Sequence, residues 1–187
     1  MTMRHGRKAE LIRFAKELRL EVGAPSTGAF DPGLLAAEYG IPVVGLSQLD
    51  AESAEYFAEA GRGRFSGMTL QTSQFGRMIV LNDAHLPVRQ RSTLGHEVAH
   101  IVCEHPHALT LGGNGRCYVS GAEQEDEADF LSGELLVPIA VAREAVIRGI
   151  SPEEIAVEYE VSVQMARWRM NKSGGRQIRS RMAQRAR

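Results

Sequence analysis

Apolar residues recur at helical spacing over residues 8–22, where Leu11, Ala15, Leu18 and Val22 stand among Lys, Arg and Glu; an amphipathic opening helix closed by Gly23 is expected. After a loop rich in Gly, Pro and Ser, Asp31-Pro32 supplies an N-cap followed by proline at the first helical position, so a short helix should run to Tyr39 before Gly40. IPVVGL, residues 41–46, reads as a strand. Asp50 can cap a further short helix through Phe57. RFSGMTLQ and RMIVLN then read as two strands, joined through polar residues and Gly76 as a hairpin requires.

The periodicity returns to helical from about Val88 to Cys103, and again in an acidic segment from Ala122 to Leu136 that Pro138 ends. Short helices follow. Ala140 to Arg148 stops at Gly149; Ser151-Pro152-Glu153-Glu154 combines an N-cap, a proline and an acidic first turn; Ser162 can cap a helix through Met170. The tail from Asn171 is expected to be disordered. The pattern contains no internal repeat and describes an α+β fold: a small β-sheet packed against two long helices, followed by a helical C-terminal subdomain.

Composition narrows this picture. A chain of 187 residues with 43% hydrophobic and 24% charged residues suits a globular protein with one main core. Its apolar runs are too short to cross a membrane and its N-terminus shows no signal-peptide pattern, so a cytoplasmic protein is expected, with Cys103 and Cys117 as reduced thiols. The net charge of -1 conceals eight basic residues and no acid from Val161 onward, while Glu123, Glu125, Asp126, Glu127 and Asp129 crowd together. The basic tail could attract nucleic acid or an acidic partner, although a solvated terminus is the simpler reading.

The stretch TLGHEVAHIVCEH carries the chemistry. On a helix, His96 and His100 stand one above the other and can hold one ion, while Glu97 lies beside it, placed to take a proton from water. In a chain of this composition His-Glu-x-x-His arises by chance with a frequency of about 2%, so the context must decide. The context favours a site, because Val98, Ala99, Ile101 and Val102 are apolar and two imidazoles and a carboxylate are costly to bury without purpose. Zinc fits this donor set and needs a third ligand. His105 and His107 lie close along the chain, Cys103 is a turn away on the same face, and Cys117 sits in a glycine-rich loop. A carboxylate of the acidic helix is the strongest choice, since thermolysin-like sites complete two histidines with a later glutamate.

LGHEVAHIVCEH together with EDEADFLSGELLVP resembles the ImmA/IrrE family of zinc metallopeptidases, in which a His-Glu-x-x-His helix precedes one reading Glu-Ala-Asn-x-Phe-Ala-x-x-Leu-Leu-x-Pro. Glu127-Ala128-Asp129 occupies the Glu-Ala-Asn position, with Leu135, Leu136 and Pro138 at matching offsets; Asp129 replaces Asn and Leu131 replaces Phe. DPGLLAAEYGIPV, IVLN and SPEEIAVEYEVSVQMARWRM also look like family segments, so the resemblance covers most of residues 8–172.

The resemblance implies zinc held by His96, His100 and Glu127, with Glu97 activating water. It implies a metallopeptidase domain over residues 1–138, a helical subdomain over 139–172 and a basic tail over 173–187. The activity implied is a zinc-dependent, site-specific endopeptidase of bacterial or phage type that cleaves a helix-turn-helix repressor and so acts as an anti-repressor. His105, His107, Arg116 and Tyr118 are candidates to stabilise the oxyanion. The competing reading is a DNA-binding or repressor- or toxin-binding regulator without turnover, because IAVEYEVSVQMARWRM has the rhythm of a helix-turn-helix. Against it, Ile155, Ala156, Val161, Val163 and Ala166 would serve equally to pack a helix pair on the core.

Overall fold

The computed structural model describes residues 3–4, 6–51, 55, 65–72, 76–105 and 121–185. Among these are eight α-helices and a three-stranded sheet. Helix α1 (Arg7–Glu21) buries Leu11, Ala15 and Leu18, the stripe expected from its spacing. Helix α2 (Pro32–Glu38) starts where Asp31 accepts a hydrogen bond from the Gly33 amide at 2.9 Å, with Pro32 at its first position.

Strand β1 (Val43–Gly45) is shorter than the IPVVGL segment, because Leu46–Gln48 tightens into a 3₁₀ turn. Strands β2 (Gly67–Thr72) and β3 (Gly76–Leu81) are antiparallel, from Gly67 opposite Leu81 to Thr72 opposite Gly76. Gly76 has φ 69°, which glycine adopts without the steric cost other residues meet. β1 joins the other edge of β3 in parallel, with Val43 opposite Ile79, giving the order β1-β3-β2. The short helix expected from Asp50 to Phe57 falls largely outside the described residues.

Of the two long helices that follow, the first packs over the sheet and the second packs on the first and on α1. Helix α3 (Pro87–Val102) presents Leu94, Val98 and Ala99 inward, and helix α4 (Ala122–Leu136) presents Ala128, Leu131 and Leu135. These side chains join those of α1 and α2 and Ile79 and Leu81 of β3 in one apolar core. Each large aliphatic side chain fully buried there contributes roughly 1.5–3 kcal/mol.

A second cluster begins at Leu136 and Val137 and takes in Ala142, Ala145 and Val146 of helix α5 (Ile139–Arg148). It continues through Ile155 and Ala156 of helix α6 (Pro152–Glu158), Val161, and Ala166 and Met170 of helix α7 (Val163–Lys172). Ile155, Ala156, Val161 and Ala166 are buried as the packing reading expects, whereas Val163 is exposed.

The expectation of disorder beyond Asn171 is corrected. Residues Gly175–Arg185 form helix α8, seated on α5 so closely that a Cβ added to Gly175 would lie 2.9 Å from the Arg143 carbonyl oxygen. No helix among the described residues is long and apolar enough to cross a membrane.

Candidate metal centre and cleft

The two histidines of the motif meet as their spacing requires. On α3, His96 Nε2 and His100 Nε2 are 3.1 Å apart. Facing them from α4 is Glu125, with Oε2 3.3 Å from His96 Nε2 and Oε1 3.5 Å from His100 Nε2. His96, His100 and Glu125 are one of two groups among the described residues with donor atoms close enough to hold an ion. Asp129, one turn beyond Glu125, lies with Oδ1 3.1 Å from His96 Nδ1. That contact turns the ring so that its other nitrogen faces His100.

Glu97, the next residue along, reaches the sheet. The Thr69 hydroxyl of β2 donates to its Oε2 at 2.9 Å. Burial pushes the Glu97 carboxyl above the ordinary carboxylate range, against the opposing effects of Thr69 and His96. At His96 burial disfavours the charged ring, but the Asp129 contact and the charges of Glu97, Asp129 and Glu125 outweigh it and raise the pKa.

A cleft of about 520 Å³, lined by Phe65, Ser66, Gly67, Ser92, Thr93, His96 and Glu97, opens between the start of β2 and α3. A larger hollow of about 730 Å³ lies elsewhere on α3, among Phe14, Tyr39, Ile41, Arg77 and Ile101. Its lining contains neither motif histidine nor Glu97, so the smaller cleft is the one the chemistry can use.

A family model for the IrrE N-terminal-like domain, Peptidase_M78, matches residues 35–171. The chain belongs to this family. That membership gives the M78 chain a metallopeptidase-type function and, with it, a metal ion and a protein substrate. The match runs from α2 into α7; α1 and α8 lie outside it. Among curated proteins no match is found.

In this M78 peptidase the acidic helix contributes differently from the expectation. Glu127, the expected third ligand, is grouped instead with Cys103 and His105. Arg7 of α1 grips it with two hydrogen bonds, Nε to Oε1 at 2.8 Å and one terminal nitrogen to Oε2 at 2.7 Å, and holds its carboxyl below the ordinary range. The arrangement has a simple origin. Residues two apart on a helix are separated by about 200° around its axis, so Glu125 and Glu127 cannot both face α3. The signal that finds Glu125 is the Glu125-x-x-x-Asp129 spacing, which puts two carboxylates on one face just as His96-x-x-x-His100 does for the imidazoles.

Of the other candidates, His105 is buried with its Nδ1 2.9 Å from His100 Nδ1, turned away from the cleft. Cys103 is a free thiol, and burial pushes its pKa up to about 11. His107, Arg116, Cys117 and Tyr118 lie outside the described residues. Arg7 and Thr69 carry no motif of their own, since each acts through a neighbour brought close only by the fold.

Proposed function

We propose that the protein is a zinc-dependent, site-specific endopeptidase in which His96, His100 and Glu125 hold the ion and Glu97 is the general base. The supporting observation is the triangle of donor atoms. One donor atom from each of the three lies within 4.8 Å of the others: the two Nε2 atoms are 3.1 Å apart, and Glu125 reaches His96 with Oε2 at 3.3 Å and His100 with Oε1 at 3.5 Å, a spacing that a tetrahedral zinc with bonds of about 2.0–2.1 Å can draw together. Two imidazoles and one carboxylate, with room left for water, is the donor set of a catalytic rather than a closed structural zinc site.

Zinc, when bound, supplies a Lewis acid that lowers the pKa of water and polarises a peptide carbonyl. The protein's own groups do the rest. Glu97, with Oε2 tied to Thr69, takes the proton of the attacking water on Oε1 and passes it to the departing amine. The elevated pKa produced by burial suits a group that must both accept and return a proton. β2 is at the edge of the sheet among the described residues and begins beside the cleft, so an extended substrate segment can pair with it.

The resemblance to ImmA/IrrE proteins points to a helix-turn-helix repressor as substrate and to anti-repressor action in the cytoplasm. The competing reading of α6 and α7 as a DNA reader is less favoured, because their apolar residues are spent on the second core cluster.

The test is zinc content of the purified protein together with cleavage of a candidate repressor. One zinc per chain is expected, lost or sharply weakened in His100→Ala and Glu125→Ala. Glu97→Gln should keep the metal and abolish cleavage. Full cleavage by Glu97→Gln would overturn the mechanism, and a wild type that takes up no zinc would overturn the metal reading.

A further inference from the structure

We propose that Arg7, Glu127 and His105 form a positioning chain that fixes the tautomer and ring orientation of His100, making α1 part of the metal site although it lies outside the family-matched segment. The inference rests on the reading of His96, His100 and Glu125 as metal-binding.

The chain begins where α3 ends. Glu104 takes φ 55°, a left-handed conformation that is unfavourable for a residue with a Cβ. The reversal lets the His105 amide donate to the His100 carbonyl at 3.0 Å and brings the two imidazoles together, with Nδ1 2.9 Å from Nδ1. Facing nitrogens at that distance can share only one hydrogen, so one ring donates and the other accepts.

The far end decides which. His105 Nε2 lies 3.4 Å from Glu127 Oε2, and the Glu127 carboxylate, engaged on both oxygens by Arg7, is an acceptor. His105 therefore carries its hydrogen on Nε2 and has a bare Nδ1. His100 must donate from Nδ1, which leaves the lone pair of its Nε2 directed at His96 and Glu125. That is the form a metal ligand needs. His96 obtains the same service directly from Asp129, whereas His100 obtains it through a second histidine.

Cys103, His105 and Glu127 also bring donor atoms within 4.8 Å of one another, which raises the alternative of a second ion. The Arg7 guanidinium on both Glu127 oxygens argues against it, since a cation already occupies the carboxylate.

The experiment uses the full-length protein as wild type, Arg7→Met, Glu127→Gln, His105→Phe and the Arg7→Met/His105→Phe double variant. Zinc affinity is measured by competition with a chromophoric chelator, and histidine tautomers by long-range ¹⁵N NMR with and without zinc. Each single variant should weaken zinc about 10–100-fold at unchanged stoichiometry, and the double variant should be no weaker than the worse single one. His105 should carry its hydrogen on Nε2 in the wild type and lose that preference in Arg7→Met, a change that general loosening of the fold would not produce selectively.

Wild-type affinity in the variants, with an unchanged His105 tautomer, would overturn the chain. So would two zinc ions per wild-type chain with the second lost in His105→Phe, in favour of a second site. If the wild type bound no zinc, the metal reading would fail separately, and the tautomers of the metal-free protein would still decide the positioning claim. Should His105→Phe fail to fold, Arg7→Met and Glu127→Gln carry the same test from the partly exposed end of the chain.

Discussion

Replacing Arg169 by Met should destabilise the protein by about 3–5 kcal/mol, the usual cost of leaving one member of a buried ion pair alone. Arg169 is wholly buried and Glu134 only 3% exposed, so solvent screening does little here. The guanidinium donates to Glu134 and, through Nε, to the Val137 carbonyl at 2.8 Å. It lies against Gly133, where an added Cβ would come within 2.8 Å of it. Glu134 also accepts from the Ile139 amide at 3.2 and 3.3 Å, which binds the start of α5 to the end of α4. Removing Arg169 therefore strands a carboxylate and orphans one carbonyl.

Glu134→Gln combined with Arg169→Met keeps an acceptor for Ile139 and removes the stranded charge. The double variant should lose only about 1–3 kcal/mol, the cost of an unsatisfied buried polar group. Urea titration followed by circular dichroism measures both. In a chain of this size the single variant's loss corresponds to a fall in Tm of about 6–20 °C. Glu134 lies about 13 Å along α4 from Glu125, so zinc affinity of the folded variant should stay near wild type. A loss under about 1 kcal/mol, or a double variant as unstable as the sum of its singles, would refute the reasoning.

Three further outcomes are expected. Gly175→Ala forces a Cβ against the Arg143 carbonyl oxygen and Val146, so it should cost about 1–3 kcal/mol and raise hydrogen exchange selectively in α8; uniform exchange would mean α8 is not held by that seat. Ser151 accepts from the Glu154 amide at 3.2 Å while Glu154 accepts from the Ser151 amide at 2.9 Å. Ser151→Ala should therefore lower stability by about 1 kcal/mol, less when made in a Glu154→Ala background, as thermal melts will show. Stripping zinc with a chelator from a sample held at one hundred times its Kd should remove about 2.7 kcal/mol of stability; Glu125→Gln should be nearly indifferent to the chelator, and an equal response would argue for a different ligand.

The parts of the fold legible in the sequence were those governed by local chemistry. Asp31-Pro32, Ser151-Pro152 and Ser162 cap helices because the cap and its amide are neighbours along the chain. Gly149 ends α5 with φ 79°, a conformation few other residues accept. The sheet order was not legible, since β1 reaches β3 in parallel across more than thirty residues and no turn signal marks that pairing. Helix α8 was not legible either. RQIRSRMAQR has almost no apolar stripe, and what orders it is a small residue against α5 and Arg179 reaching the Val146 carbonyl at 3.4 Å.

The acidic helix shows where a pattern match and a periodicity argument diverge. Matching Glu-Ala-Asn to Glu127-Ala128-Asp129 selects a glutamate that meets Arg7 and His105. Helical geometry gives Glu125 and Asp129 to α3, where they meet His96, and gives Glu127 to α1, where it meets Arg7. One helix thus has a carboxylate face towards the candidate metal and another carboxylate turned to the N-terminal helix. His105 connects the two by touching both Glu127 and His100. On the proposed positioning chain a change at Arg7 reaches the ring of His100 through Glu127 and His105, and the sequence motif alone contains no trace of that dependence.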